Sequence, residues 1–460
     1  MDKVKQINHE FYKILNTQSD AVIRDEEFIR EKMLARGVTC DGKLIQTSIR
    51  PYFIEQNVFE RFSIVAKALF GMLEKVTRLY LSGYDFDGMI KVEDLLLRDL
   101  VKIDPKYAAS QVIQRMDLFY NPETGDFKFN EFNCSDPSCM GWQEALIDMF
   151  SESYVINELR NKFDIKLYPP LKEHLQTVLN KYNEYCSKNG VSPKKNPICA
   201  VACYKEYMTS SDVGIITEYY NKYGIQSYYT DTCEFEYNGK ELTYNGMVVD
   251  IVYRDSMLDF TREDLWPKAR KVMDAYRDGN ICLVNPAASV IGGHKAVMVI
   301  MTDPKYSHLF DQEEVKIANK YIPWTRFFGE YCTEHRGKTV DMIPHVLANK
   351  DLFVLKPSVG YGGIGVVLGL ESSAEEWRRV INNILKQKET YVVQEYVEIQ
   401  HDDIPSLDIK NRKYDFTKRY VGLGLWVFDH NLASVLVRFS SDKRINVTQG
   451  GGLTLACFVS

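Results

Sequence analysis

Apolar positions recur every three to four residues through the first eighty positions, at Ile7, Phe11, Ile14 and Leu15 and again at Phe59, Ile64, Ala66, Leu69 and Leu73. That spacing gathers them on one face of a helix, so residues 1–80 read as a helical region. The texture then changes. Residues 115–120 and 127–133 flank Asn121-Pro-Glu-Thr-Gly-Asp126, whose Pro and Gly mark a turn, and the whole reads as strand–turn–strand. Helical spacing resumes to about residue 190, including Leu171 to Leu179. From Pro197, short apolar runs at 198–202, 225–230 and 248–253 read as strands around a helix at 211–222, with a hairpin turn at Asn238-Gly239. This is the pattern of a small α/β unit. Beyond Asp264 helices are expected as far as a glycine-rich stretch, and strands at 391–397, 420–428 and 433–439. The fold class is therefore mixed α/β. Its expected parts are residues 1–80, 81–195, 196–265 and 266–460.

The glycine-rich stretch is Leu355-Lys-Pro-Ser-Val-Gly-Tyr-Gly-Gly-Ile-Gly-Val366. Glycines this close cannot be there to pack; they free the backbone to take positive φ and let its amides approach a ligand. Lys356 just upstream suggests a phosphate. Gly360, Gly362 and Gly365 satisfy G-x-G-x-x-G, but that fingerprint must run from a strand into a helix. Here strands are expected on both sides, at 352–355 and 364–370, and a helix starts only at Ser372-Ser-Ala-Glu-Glu with its capping box. The loop reads as a hairpin over a triphosphate; an ordinary Gly-rich hairpin is the plain alternative.

The second constellation is Arg115-x-Asp117 and Glu131-x-Asn133, one pair on each strand of the earlier hairpin. Residues two apart share a strand face, so a suitable register would bring all four together. Asp117, Glu131 and Asn133 offer hard oxygen donors suited to Mg²⁺ held against substrate phosphates, and Arg115 could bind a phosphoryl group. A solvated hairpin edge would show the same alternation. The loop Cys134-Ser-Asp-Pro-Ser-Cys-Met-Gly-Trp142 leads into a helix, whose N–H groups could hold an acyl phosphate or carboxylate beside Ser138. Capping alone also accounts for Ser135 and Ser138. Lys295, where a polar loop enters an apolar helix, opposes the helix dipole and needs an anionic partner, for which a phosphate would serve. Gln394-Glu-Tyr-Val397 could offer polar groups to adenine and ribose.

Composition narrows the partners. The chain has 460 residues, 45% apolar and 26% charged, with a formal net charge of −6. This is an ordinary globular balance, without the basic stripe of a nucleic-acid binder. No apolar run approaches a membrane span, and the N-terminus lacks a signal-peptide core. Ten cysteines lie scattered, without paired zinc spacing, and read as free thiols of a reducing, cytoplasmic setting.

Taken in chain order, Arg115-x-Asp117, Glu131-x-Asn133, Lys295, the Lys356-Pro-x-x-Gly-x-Gly-Gly loop and Gln394-Glu-Tyr-Val397 resemble the circularly permuted ATP-grasp ligases, in which the metal half precedes the lysine and glycine-loop half. The synthetase domain of glutathionylspermidine synthase is the best-known member. The resemblance covers roughly residues 75–460. It implies a circularly permuted ATP-grasp fold with a pre-ATP-grasp unit at Pro197–Arg254. It implies Mg²⁺ on Asp117, Glu131 and Asn133, and the transferring phosphoryl on Arg115. ATP would be held by Lys295, Lys356, the Gly362–Gly363 lid, and Gln394, Glu395, Tyr396 and Val397. Arg438 would be a late phosphate- or substrate-binding arginine, and Arg254 and Asp255 would border the acceptor site. The implied reaction activates a carboxylate, of an amino acid or peptide, as an acyl phosphate and transfers it to an amine or a carrier-protein thiol. An ATP-dependent kinase and a non-catalytic nucleotide binder are the rival readings. Two departures, Gly362 where that enzyme has an acidic residue and Asn133-Cys-Ser-Asp-Pro-Ser138 in place of its Asn-Ala-Asp-Thr-Pro-Thr, make glutathione and spermidine poor substrate candidates. Oligomeric state has no readable code; a homodimer is one option.

Overall fold

The computed structural model describes residues 3–92, 95–207, 211–255, 266–360, 362–387, 389–408 and 411–460. The glycine-loop residue Tyr361 and the end of the expected 196–265 unit thus lie outside the described residues.

The N-terminal region contains the expected helices, Lys3–Thr17, Ser19–Ala35 and Gln56–Leu81. Ile7, Phe11, Ile14 and Leu15 are buried as their spacing requires, but Ile64 is 67% exposed. The buried face of the long helix runs through Phe59, Phe62, Ala66, Leu69 and Leu73, and Ile64 lies off it. This region is also not purely helical. Gln46–Thr47 pairs in parallel with Gly452–Thr454, and Tyr52–Glu55 with Ala456–Val459, so the two ends of the chain are joined through sheets.

The largest sheet runs in the order Gln46–Thr47, Gly452–Thr454, Asn431–Ser440, Lys413–Phe428, Ile113–Tyr120, Phe127–Asn133, with His401–Asp408 also on Lys413–Phe428. One face is packed by the long helix: Met116, Leu118, Leu423, Leu425, Val435 and Val437 join Phe62, Leu69 and Leu73 in one core. Arg115, Asp117 and Arg438 alternate with these residues and so stand on the opposite face.

A parallel sheet, in the order Cys282–Val284, Ile251–Arg254, Cys199–Cys203, Ser227–Asp231, forms the α/β unit. Cys199–Cys203 and Cys282–Val284 are apolar and buried throughout, as expected of a parallel sheet covered on both faces, whereas the edge strand Ser227–Asp231 is polar and only partly buried. The edge strand Cys282–Val284 carries this unit past the expected boundary at 265.

The third sheet, Thr325–Phe327, Tyr391–Glu395, Phe353–Pro357, Val367–Leu368, is antiparallel. Thr325–Phe327 and the hairpin Cys332–His335/Lys338–Asp341 fall where only helices were expected. These strands are three or four residues long, too short to give a period. The glycine stretch does connect two antiparallel strands, Phe353–Pro357 and Val367–Leu368. The next helix, Ala374–Ile384, starts at the Ser373–Glu376 capping box. Among the described residues no helix is long and apolar enough to cross a membrane.

Candidate functional site

The hairpin register places Arg115 opposite Asn133 and Asp117 opposite Glu131. A bulge between Asp117 and Leu118 leaves Asn130 as the extra residue. This is no solvated edge, because Arg115 is 7% and Asp117 4% exposed. Arg115 Nε and Nη2 donate to Asp117 Oδ1 and Oδ2 at 2.8 and 3.2 Å. Arg438, from the strand two places away, adds Nη2 to Asp117 Oδ2 at 2.8 Å. Asn133 Nδ2 donates to the same oxygen at 3.2 Å, leaving its carbonyl oxygen as the outward acceptor. Burial acts to raise the Asp117 pKa, but Arg115 and Arg438 outweigh it and hold the carboxyl below its ordinary range.

Gly424 lies between these strands, opposite Asp117, and a Cβ there would meet Arg115 Cδ at 2.9 Å and Asp117 Oδ1 at 3.0 Å. The clasp fits because that position has no side chain.

Lys295 is the residue just before the helix Ala296–Thr302, and its anionic partner is Glu131, with Nζ 3.0 Å from Oε1. The same ammonium donates to Gly360 O at 2.9 Å, tying the glycine hairpin to the metal candidates. Lys356 Nζ donates to Asn130 O at 3.0 Å and to Gln394 Oε1 at 2.7 Å. Burial, with Lys295 adding to it, pulls the Lys356 pKa down to about 8, against Glu131 and Asp117.

The hairpin holds Gly362, Gly363 and Gly365 at φ between 65° and 77°, in the left-handed region that favours glycine. Gly362 O is pinned by Asn446 Nδ2 at 3.0 Å and Gln449 Nε2 at 3.1 Å, from a loop that the sequence did not single out. Its signal was the second glycine run, Gly450-Gly-Gly452.

Arg115, Asp117, Glu131, Asn133, Lys295, Lys356, Arg438 and the glycines Gly360, Gly362 and Gly363 line one cavity of about 1390 Å³, with Ser135 to Ser138, Gln394 to Val397 and Lys443 to Val447 completing its wall. The cationic groups Arg115, Arg438, Lys295 and Lys356 suit a polyphosphate. The donor set Asp117, Glu131 and Asn133 fits a hard divalent cation that takes its remaining ligands from substrate. Among the described residues no group of three or more His, Cys, Asp or Glu gathers as a cage.

Four expectations change. The Gln394 side chain is buried and spent within the protein, accepting from Lys356 and donating to Thr325 Oγ1 at 2.9 Å, so it steadies a lysine instead of meeting a base. Glu395 accepts from His335 Nε2 at 2.9 Å and Arg336 Nε at 3.0 Å, and the Glu395 and Tyr396 N–H groups are used by Trp324 O and Leu352 O. The helix after Ser138, Met140–Ser151, does not offer its N–H groups to a ligand: Asp212 takes Cys139 N at 2.7 Å and Trp142 N at 2.9 Å. Ser138 lines the cavity, but its carbonyl is committed to Arg115 Nη1 at 2.8 Å.

Arg254 and Asp255 are off the wall. Arg254 is 0% exposed, and its guanidinium donates to Asn285 O, Ser135 Oγ and Ser289 Oγ at 2.7–2.9 Å. It sets the position of the 135–138 loop from behind. Burial, then Asp136 and Asp212, push the Asp255 carboxyl up to about 8, which disfavours a charged role.

Residues 242–451 match the model of the family described as circularly permuted ATP-grasp type 2. An uncharacterized protein of Synechocystis sp. is 24% identical over 216 residues, covering 44% of this chain and 41% of the relative. A "Putative glutamate--cysteine ligase 2-3" of Frankia alni is 27% identical over 153 residues, 32% of this chain and 16% of the relative. The chain thus matches less than half the length of these curated relatives. A solved structure, the apo form of a glutathione synthetase-like effector from Globodera pallida, superimposes with a TM-score of 0.62 at 11% identity, covering 95% of this chain and 97% of that one. That likeness is one of fold. The chain has the circularly permuted ATP-grasp fold, and the match to the circularly permuted ATP-grasp type 2 model covers its residues 242–451.

Proposed function

We propose that this protein is an ATP-dependent carboxylate ligase, joining the carboxylate of an amino acid or peptide to an amine or a thiol with release of ADP and phosphate. One observation carries the reading. Arg115, Asp117, Glu131 and Asn133 meet Lys295 and Lys356 beneath the glycine hairpin, although these six residues come from four separate stretches of chain.

A substrate carboxylate oxygen attacks the γ-phosphorus of ATP; the bond to the β-γ bridging oxygen breaks, giving an acyl phosphate and ADP. The charge spread over the transferring group is offset by Lys295 and Lys356 on the ATP side and by Arg115 and Arg438 on the acceptor side. Arg438 Nε is buried without a hydrogen-bond partner among the described residues, an unspent donor beside this position. Asp117, Glu131 and Asn133 would hold Mg²⁺, which when bound neutralises phosphate charge. The neutral amine, or thiolate, then attacks the acyl carbon and expels phosphate, the amine losing its proton. The glycine hairpin excludes water, which would otherwise hydrolyse the acyl phosphate.

The test is a phosphate-release screen with ATP, Mg²⁺ and pairs of amino acids, followed by mass spectrometry. The expected result is phosphate that depends on both partners, with a condensed product lighter than their sum by one water. A stable phosphorylated product with no condensation would make it a kinase.

Lys356 adds a pH signature. Its ammonium is lost as pH rises through about 8, well below the ordinary lysine range. Affinity for a non-hydrolysable ATP analogue is expected to fall by about tenfold between pH 7 and 9.5, about 1.4 kcal/mol. Calorimetric titration across that range reads the change directly. Lys356→Met should bind weakly at pH 7 and lose most of the slope.

A further inference from the structure

Both carboxylates that the ligase reading gives to the metal are held in this structure by cations that the same reading gives to phosphate. Glu131 Oε1 is 3.0 Å from Lys295 Nζ. Asp117 Oδ1 is 2.8 Å from Arg115 Nε, and its Oδ2 is 2.8 Å from Arg438 Nη2. With Lys356, four cations face two carboxylates. A divalent cation arriving alone must therefore break an ion pair in surroundings of its own sign. A triphosphate arriving first meets attraction, and in drawing the cations to itself it leaves the carboxylates free.

Resting on the ligase reading, we propose that Lys295 is an exchange gate: it occupies Glu131 until a nucleotide phosphate takes its ammonium, so that nucleotide and metal enter as a coupled pair. Its position suits this. The ammonium spans Glu131 and Gly360 O, and the Lys295 backbone N–H is fixed on Ser358 O at 2.9 Å. The end of the side chain can thus swing while its root stays anchored beside the glycine hairpin. Linkage makes the effect reciprocal: whatever factor the nucleotide adds to metal affinity, the metal adds to nucleotide affinity. Lys356 is the internal control, because its Nζ is committed to Asn130 O and Gln394 Oε1 and it acts on Glu131 only through space.

The experiment uses the full chain and Mn²⁺ as the probe, with free Mn²⁺ counted by electron paramagnetic resonance, with and without a non-hydrolysable ATP analogue. The unaltered protein is expected to bind Mn²⁺ at least about tenfold more tightly when the analogue is present, within the usual range of coupling factors. Lys295→Met should raise nucleotide-free Mn²⁺ affinity by about tenfold, and Lys356→Met by much less. The complementary variant needs no metal at all. Glu131→Gln should raise metal-free affinity for the analogue several-fold by releasing Lys295. The gate is overturned if Lys295→Met leaves nucleotide-free Mn²⁺ affinity unchanged, or if both lysine variants raise it equally. It is also overturned if Glu131→Gln leaves metal-free nucleotide affinity unchanged or lowers it. In each of these cases, analogue-dependent Mn²⁺ binding by the unaltered protein would leave the nucleotide-site reading standing. If the unaltered protein binds no Mn²⁺ even with the analogue, the gate and the metal assignment fall together.

Discussion

Asp117→Ala is expected to abolish ligation and to destabilise the fold by about 3–5 kcal/mol, the usual cost of removing one member of a buried ionic group. The cost arises because Arg115 and Arg438 share this carboxylate and are themselves largely buried. Removing it leaves two guanidiniums facing each other without the carboxylate they share. Turnover fails for a second reason, since the candidate metal set loses a carboxylate and Arg115 loses the partner that orients it. Asp117→Asn separates these effects. It keeps the shape and part of the hydrogen bonding, so urea unfolding should register a smaller loss of stability while product formation falls as far as in the alanine variant. Wild-type turnover in Asp117→Ala would remove this residue from the chemistry.

Gly424→Ala should lower turnover by about 10²-fold while leaving every charged residue of the site in place. The added Cβ would lie 2.9 Å from Arg115 Cδ and 3.0 Å from Asp117 Oδ1, too close for the clasp to keep its geometry. The atoms in the way belong to side chains that can shift, so the strain is relieved by moving Arg115 and Asp117 and not by unfolding. Displacements of about 1 Å at positioned groups cost about 10²-fold in rate. Thermal unfolding should therefore change little while kcat falls. A variant of normal kcat would show that the tightness at Gly424 has no bearing on the reaction.

Legibility in the sequence followed range. The Arg115-x-Asp117 and Glu131-x-Asn133 pairs were readable because period two is a local property of a strand. Their register also had a local origin, in a six-residue turn between the two strands. The glycine hairpin was readable for the same reason, as was the capping box at Ser373. Gln394 was misplaced because its amide is spent on residues 38 and 69 positions away. Arg254 was misread because a charged residue at a strand end is ambiguous until burial is known. Asp212 was not singled out, although it closes the N-terminus of the helix after Ser138 from 70 positions downstream. Two local signals were overlooked: the Gly450-Gly-Gly452 run, and the pair Gly422-x-Gly424 inside an apolar strand, where a glycine marks a close approach.

By itself, then, the sequence determined the local devices: which residues share a strand face, where the backbone must turn through positive φ, and in what order metal-type and phosphate-type groups occur. Order alone was enough to point to a permuted ATP-grasp chain. Only the tertiary structure decided which charges meet. Asp117 lies between Arg115 and Arg438 because the strands carrying them share one sheet, with Lys413–Phe428 between them. Glu131 meets Lys295 because the helix that follows Lys295 packs into the core beneath the Phe127–Asn133 strand. The reason is physical. Period and turn preference act over a few residues, whereas ion pairing and burial depend on distance in space, which the chain settles only when its sheets assemble.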